Sequence, residues 1–153
     1  MDKEKREKEE KDKMYEKYVK DGWEEMAKNK EDTIRLFGMH KDAIWIKILR
    51  LVEKFGDDVV IGQVKKFVKK LKLLYECAND YDKGVYKEIP WPTIAGIIFA
   101  LLYFLSPIDL IPDFIPGFGY IDDATVLLIV WEAVEEDLKK YAQWKGYNLS
   151  EYF

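Results

Sequence analysis

SPIDLIPDFIPGFGYIDD, residues 106–123, is the stretch on which the fold turns. It holds three of the chain's five prolines, two of its nine glycines and four aspartates, set among large apolar side chains. Each break in it has a chemical cause. Ser106 can cap the turn that Pro107 opens, because serine accepts from an orphan amide and proline has no amide to satisfy. Pro112 biases Ile111 away from the helical region, so any helix here lasts about one turn. Pro116-Gly117 suits a type II turn, and Gly119 offers a second flexible point. Asp122 and Asp123 stand where the next helix begins, and carboxylates there complement the exposed amides and the helix dipole. The stretch therefore reads as a stiff acidic connector.

Apolar segments lie on both sides of it. Ile89 to Ile108 runs twenty residues without a charge, about the length that crosses a bilayer as a helix. Pro90 and Pro92 fit only at a helix's first turn, and Ser106-Pro107 marks its end. The uninterrupted part, Thr93–Leu105, is then about 20 Å long against ~30 Å of hydrocarbon. A buried core helix, a re-entrant segment and a thin span all remain open for it. Beyond the connector a helix is expected over 124–144, with Ala124, Leu127, Leu128, Trp131, Val134, Leu138 and Tyr141 as its stripe. Val126, Ile129 and Val130 make its first two turns apolar all round, the mark of deep burial or of lipid. Gly146 is its expected stop, and Tyr147, Tyr152 and Phe153 are apolar enough to pack back on something.

Towards the N-terminus, residues 2–13 are all charged, with mixed signs that suit a solvated helix or a disordered extension. Tyr15, Tyr18, Val19, Trp23 and Met26 follow at helical spacing, weakened by Gly22. Asp32-Thr33 offers a helix start, and Gly38 interrupts the pattern. Over 43–55 the stripe is Ile44, Ile48, Leu51, Val52 and Phe55, widened by Trp45 and Leu49. From Val60 a 3.6-residue stripe runs through Ile61, Val64, Phe67, Val68, Leu71, Leu74, Tyr75 and Ala78. Lys65, Lys66, Lys69, Lys70 and Lys72 lie opposite, either as a solvated face or as a contact for anionic lipid. Residues 79–87 read as a loop.

Apolar residues make up 48% of the 153-residue chain, enough to bury one core. A formal net charge of −4 argues against a general nucleic-acid binder. That charge is segregated: residues 41–75 carry a net +5 and residues 76–153 a net −8, so the two could attract within one molecule or between copies. The single cysteine, Cys77, makes no internal disulfide and reads as a packed small side chain. The charged beginning lacks the apolar core of a signal peptide, which points to the cytoplasm for most of the chain.

Ser106, Pro107, Asp109, Leu110, Ile111, Pro112, Asp113 and Pro116, then Gly119, Tyr120, Asp122 and Asp123, resemble the hallmark of the domain-of-unknown-function family 1232, the YkvA-like proteins. A looser likeness, a lysine-rich helix followed by an apolar one, extends from about Val68 to Tyr141. The resemblance implies a small helical domain in bacterial and archaeal proteins, often membrane-associated, with no established activity.

The sequence is thus expected to form an all-α fold of five or six helices, with an apolar helical hairpin joined by the Pro/Asp-rich connector. Its expected divisions are a charged extension (1–31), a helical N-terminal region (32–64), the YkvA-like domain (65–145) and a tail (146–153). Asp109, Asp113, Asp122 and Asp123 are the only candidates for a metal-binding cluster, holding Mg²⁺ or Ca²⁺ if the connector folds on itself. Capping of backbone turns explains the same carboxylates without an ion and is preferred. His40 reads as an ordinary residue, and no nucleophile, nucleotide or zinc motif is present. No catalytic residue, cofactor or small-molecule substrate is expected.

The favoured reading is a membrane-associated scaffold on the cytoplasmic side. Its attachment is peripheral or partly inserted, because the four aspartates would be costly in hydrocarbon. Lys83 and Lys87 join the basic helix as a cytoplasmic flank. On this reading the protein pellets with membranes and needs detergent for release. The alternatives are a soluble, cytoplasmic interaction module, able to self-associate, and a metal-dependent hydrolase built on the aspartates.

Overall fold

The structure, a computed structural model, describes residues 2–55, 62–105 and 123–153. Five α-helices and one 3₁₀ turn account for most of them: α1 (Asp2–Lys28), α2 (Lys30–Phe55), α3 (Gly62–Asp82), α4 (Trp91–Leu105), α5 (Asp123–Lys145) and the turn Leu149–Glu151. There is no strand among the described residues, and the fold is all-α as expected.

Helix α4 is the axis of the molecule. It packs against α1, α2, α3 and α5, and every residue from Thr93 to Phe104 is buried. The cause lies in its sequence, which carries no charge and is apolar on every face, so water is unfavourable all round it. Burying Ile94, Ile97, Ile98, Phe99, Leu101, Leu102 and Phe104 contributes about 1.5–3 kcal/mol each before chain entropy is subtracted. Of the three roles open to this segment, the described residues give it that of a buried core helix. None of the described helices is long and apolar enough to cross a membrane.

The first turn of α4 follows from its prolines. The Pro90 carbonyl accepts from the amides of Thr93 and Ile94 at 3.0 and 3.3 Å. Pro92 sits where a missing amide costs nothing. Two tryptophans then fasten α1 here. Trp23 Nε1 donates to the Pro92 carbonyl at 2.5 Å, and Trp91 Nε1 donates to the Ala27 carbonyl at 2.8 Å. The second bond satisfies one of the carbonyls that the end of α1 leaves open. Gly96 lies beneath the Trp23 indole, where any added Cβ would collide with the ring.

Several boundaries differ from the sequence reading. Helix α1 is continuous through Gly22, which is buried, and α2 is continuous through Gly38. The expected helix start at Asp32-Thr33 moves back to Lys30; Thr33 instead donates through Oγ1 to the Met26 carbonyl, tying the two helices together at their joint. Helix α3 runs on to Asp82, four residues into the expected loop. It ends where Gly84 takes a positive φ of 77°, a conformation glycine adopts without strain. Helix α5 ends as expected before Gly146, which has φ 80°.

Two stripe assignments also change. Leu49 and Leu128 are exposed, whereas Leu73 and Tyr81, absent from the expected stripe, are buried. Helix α3 is buried on more than one side, because α2 and α4 cover one flank while α5 and the chain's last residues cover another.

Candidate functional site

The connector that the sequence singles out falls almost wholly outside the described residues. That holds for Ser106, Pro107, Asp109, Pro112, Asp113, Pro116, Gly119 and Asp122. Asp123 is the first residue of α5. The two described attachment points of the connector are therefore Leu105, closing α4, and Asp123, opening α5. Lys47 from α2 reaches the first of these, donating through Nζ to the Phe104 carbonyl at 2.6 Å. A cation at that position complements the negative end of α4. Among the described residues no group of three or more His, Cys, Asp or Glu side chains could hold a metal ion.

The expected basic face is on α3, and its members differ in their surroundings. Lys65 lies in the first turn of the helix. Lys66 is exposed and Lys72 half-buried. Lys69 pairs with Glu151 at 3.5 Å, and Lys70 lies over the Trp131 ring at 5.0 Å. Phe153 stacks on that same ring with centroids 5.1 Å apart. The tail thus packs back on α5 and supplies a carboxylate to the lysine helix, so part of the basic face has intramolecular partners. Helices α2 and α3 are antiparallel, as the stacking of Trp45 on Tyr75 and the pair Lys41–Asp82 require. Arg50 and Lys54 near the end of α2 therefore lie at the same end of the bundle as the first lysines of α3.

A second polar cluster joins α3 to α5 at the opposite end. Tyr141 donates its hydroxyl to Asp80 Oδ2 at 2.5 Å, and Lys145 Nζ approaches the same oxygen at 3.1 Å. Tyr147 donates to Glu76 Oε2 at 2.6 Å. Burial first, and then the bond to the Asp80 carboxylate, push the ionisation of Tyr141 far above its usual range. For Tyr147 the bond to Glu76 is the larger cause of the same upward shift. Cys77 is fully enclosed, and burial raises its thiol well above the ordinary value. That is the environment of a packed side chain, since reactive thiols sit in exposed electropositive places. Thr93 donates to Asp137 at 2.7 Å, tying the start of α4 to α5. Each acid of this cluster is engaged with a neighbouring element, so the arrangement holds helices together.

A groove of about 410 Å³ runs between α1 and α5. Val19, Trp23, Pro92, Ile129 and Ala133 form its apolar walls, with Glu16, Lys20 and Glu24 at the edge. The sequence reading missed this groove. Trp23 and Ile129 were legible as apolar, but their sides of α1 and α5 become neighbours only through the fold.

The family described as "Protein of unknown function (DUF1232)" matches residues 93–129. The chain is also 33% identical over 81 residues to a protein of Bacillus subtilis (strain 168) called "Uncharacterized membrane protein YkvA". That alignment covers 53% of this chain and 76% of the relative. No solved structure matches the chain.

Proposed function

The chain belongs to the DUF1232 family, and from that premise we propose that it is a non-enzymatic helical scaffold attached peripherally to the cytoplasmic side of a membrane. The observation that carries this reading is the enclosure of α4. The relative is named a membrane protein, yet the most apolar helix of this chain is covered by four others. Attachment then proceeds by a surface rather than by inserting α4. The surface with suitable chemistry is the end of the bundle where α2 finishes and α3 begins. Arg50, Lys54, Lys65, Lys66, Lys69, Lys70 and Lys72 gather there by sequence and helix direction. The exposed side chains of Ile46, Leu49 and Leu128 supply apolar contact on the neighbouring helices. Basic residues beside apolar ones suit an anionic headgroup layer, each lysine contributing about 1 kcal/mol near it. Such attachment weakens with salt and needs no detergent for release, unlike the inserted form that the sequence left open.

Flotation of the purified chain with phosphatidylglycerol-containing vesicles tests this. The wild-type protein is expected to bind them at low ionic strength and to ignore neutral vesicles. A double substitution, Lys66→Gln with Lys72→Gln, leaves Lys69 and Lys70 and their intramolecular partners untouched. It should weaken binding by about 30-fold, the equivalent of about 2 kcal/mol. Binding unchanged by the double substitution, or no binding by the wild type, would overturn the reading. A second reading, a soluble interaction module, is favoured by the same enclosed core and by the open groove between α1 and α5. Monodisperse protein without affinity for any vesicle would establish it instead.

A further inference from the structure

The segment after α5, residues 146–153, doubles back along the bundle. Gly146 makes the reversal, with a φ of 80° that glycine adopts without strain. The Tyr147 hydroxyl then meets Glu76 on α3, and Glu151 meets Lys69, seven positions earlier on the same helix. The segment therefore runs about 10 Å along α3 toward its basic beginning. The 3₁₀ turn Leu149–Glu151, capped by the Asn148 side chain, shapes its far end. There Phe153 stacks on Trp131 of α5, with Lys139 Nζ 5.6 Å from the phenyl ring.

These residues touch the same chemistry that a membrane surface would use. Lys66, Lys69 and Lys72 stand three apart on one side of α3, and Glu151 pairs with the middle one. Trp131 and Lys70 share a cleft between α3 and α5 with Phe67 and the exposed Leu128. Tryptophan is enriched where membrane meets water, yet this indole is only 5% exposed, with Phe153 stacked on it. The segment thus sets a carboxylate on the lysine and an apolar ring on the tryptophan. Its hold is light, because none of residues 146–153 is buried. Lys69 and Glu151 are 34% and 52% exposed, and ion pairs at such places contribute little.

We propose that residues 147–153 are an autoinhibitory strap that occupies Lys69 and Trp131 in place of an anionic bilayer surface. Opening of the strap releases both side chains to the membrane. The inference rests on the membrane reading above and adds its regulation. A site occupied from within binds its outside ligand with an affinity reduced in proportion to the closed fraction. Loosening the strap therefore strengthens attachment, whereas cutting back a segment that itself gripped lipid would weaken it.

Flotation of the full chain with phosphatidylglycerol-containing vesicles, in about 0.1 M salt, reads that sign. Phe153→Ala, which changes no charge, should tighten binding by about fivefold, and Glu151→Gln by about threefold. Glu24→Gln makes the same change of charge on α1 beside Trp23, at the Pro92 end of α4 and away from the basic end. Screening isolates it there, so its binding should equal that of the wild type. Movement of the strap is followed with a nitroxide on Ser150→Cys; Cys77 is fully buried and escapes labelling. The label should gain mobility when the protein binds anionic vesicles and show no change with neutral ones. Wild-type binding that Phe153→Ala and Glu151→Gln leave unchanged or weaken would overturn the strap and leave the membrane reading standing. Equal tightening by Glu24→Gln, or a label unmoved on bound vesicles, would overturn it in the same way. Absence of binding by the wild type and every variant would overturn both.

Discussion

Asp80 joins two helices through a single carboxylate. It accepts from the Tyr141 hydroxyl at 2.5 Å and pairs with Lys145 at 3.1 Å, while the Tyr141 ring is fully buried. Removing the hydroxyl leaves the carboxylate with one fewer donor in a partly buried place. Tyr141→Phe is therefore expected to cost about 1.5–3 kcal/mol at neutral pH, measured by urea denaturation. The pH dependence has a definite sign. An unfolded tyrosine loses its proton near pH 10.0, whereas burial and then Asp80 hold the folded Tyr141 neutral well beyond that. Its contribution is complete below pH 10 and declines as the pH rises further, because ionisation then favours the unfolded chain. The Tyr141→Phe variant should lose stability less steeply above pH 10 than the wild type. An equal slope would mean that the hydroxyl is not held as described.

Between elements, the approach of α1 to α4 is set by an indole lying on a glycine. A Cβ at Gly96 would strike the Trp23 ring, and the ring is anchored by its bond to the Pro92 carbonyl. Gly96→Val is expected to cost about 1–3 kcal/mol through overpacking, with the Trp23 fluorescence shifted toward that of an exposed indole. An unchanged midpoint and spectrum would show that α1 is not seated there. The helices themselves were largely legible in the sequence. The prolines at 90, 92 and 107 bracket α4, and Gly146 stops α5, because those residues act through local backbone geometry. Gly22 and Gly38 misled because burial and packing along α1 and α2 outweigh the roughly 1 kcal/mol cost of glycine in a helix. Leu73 was missed on α3 because a single stripe presumes one covered side, and the tail lies along another; Tyr81 was missed because the stripe was expected to end before residue 79, whereas α3 carries it on to Asp82 and Tyr81 packs against Trp91. Of the site residues, the lysines were readable as a face, but their partners Glu151 and Trp131 lie far along the chain. The aspartates of the connector, apart from Asp123 at the start of α5, lie outside the described residues.

At the scale of the whole molecule, one apolar helix is enclosed by four others, and its enclosure decides how the protein can meet a membrane. A helix with charged and polar faces can be moved to the surface by a modest rearrangement. Exposing α4 instead would uncover twelve buried residues at once, Thr93 to Phe104, and leave the surrounding helices without their core. Its amides should therefore open only with the global unfolding of the bundle. Hydrogen exchange on the lipid-free, detergent-free protein measures this directly. Residues 94–104 are expected to be the slowest-exchanging segment of the described chain, with protection unchanged when anionic vesicles are added. Rapid exchange of that segment in water, with protection appearing only in lipid or detergent, would contradict the enclosed core and make α4 a membrane-inserting element.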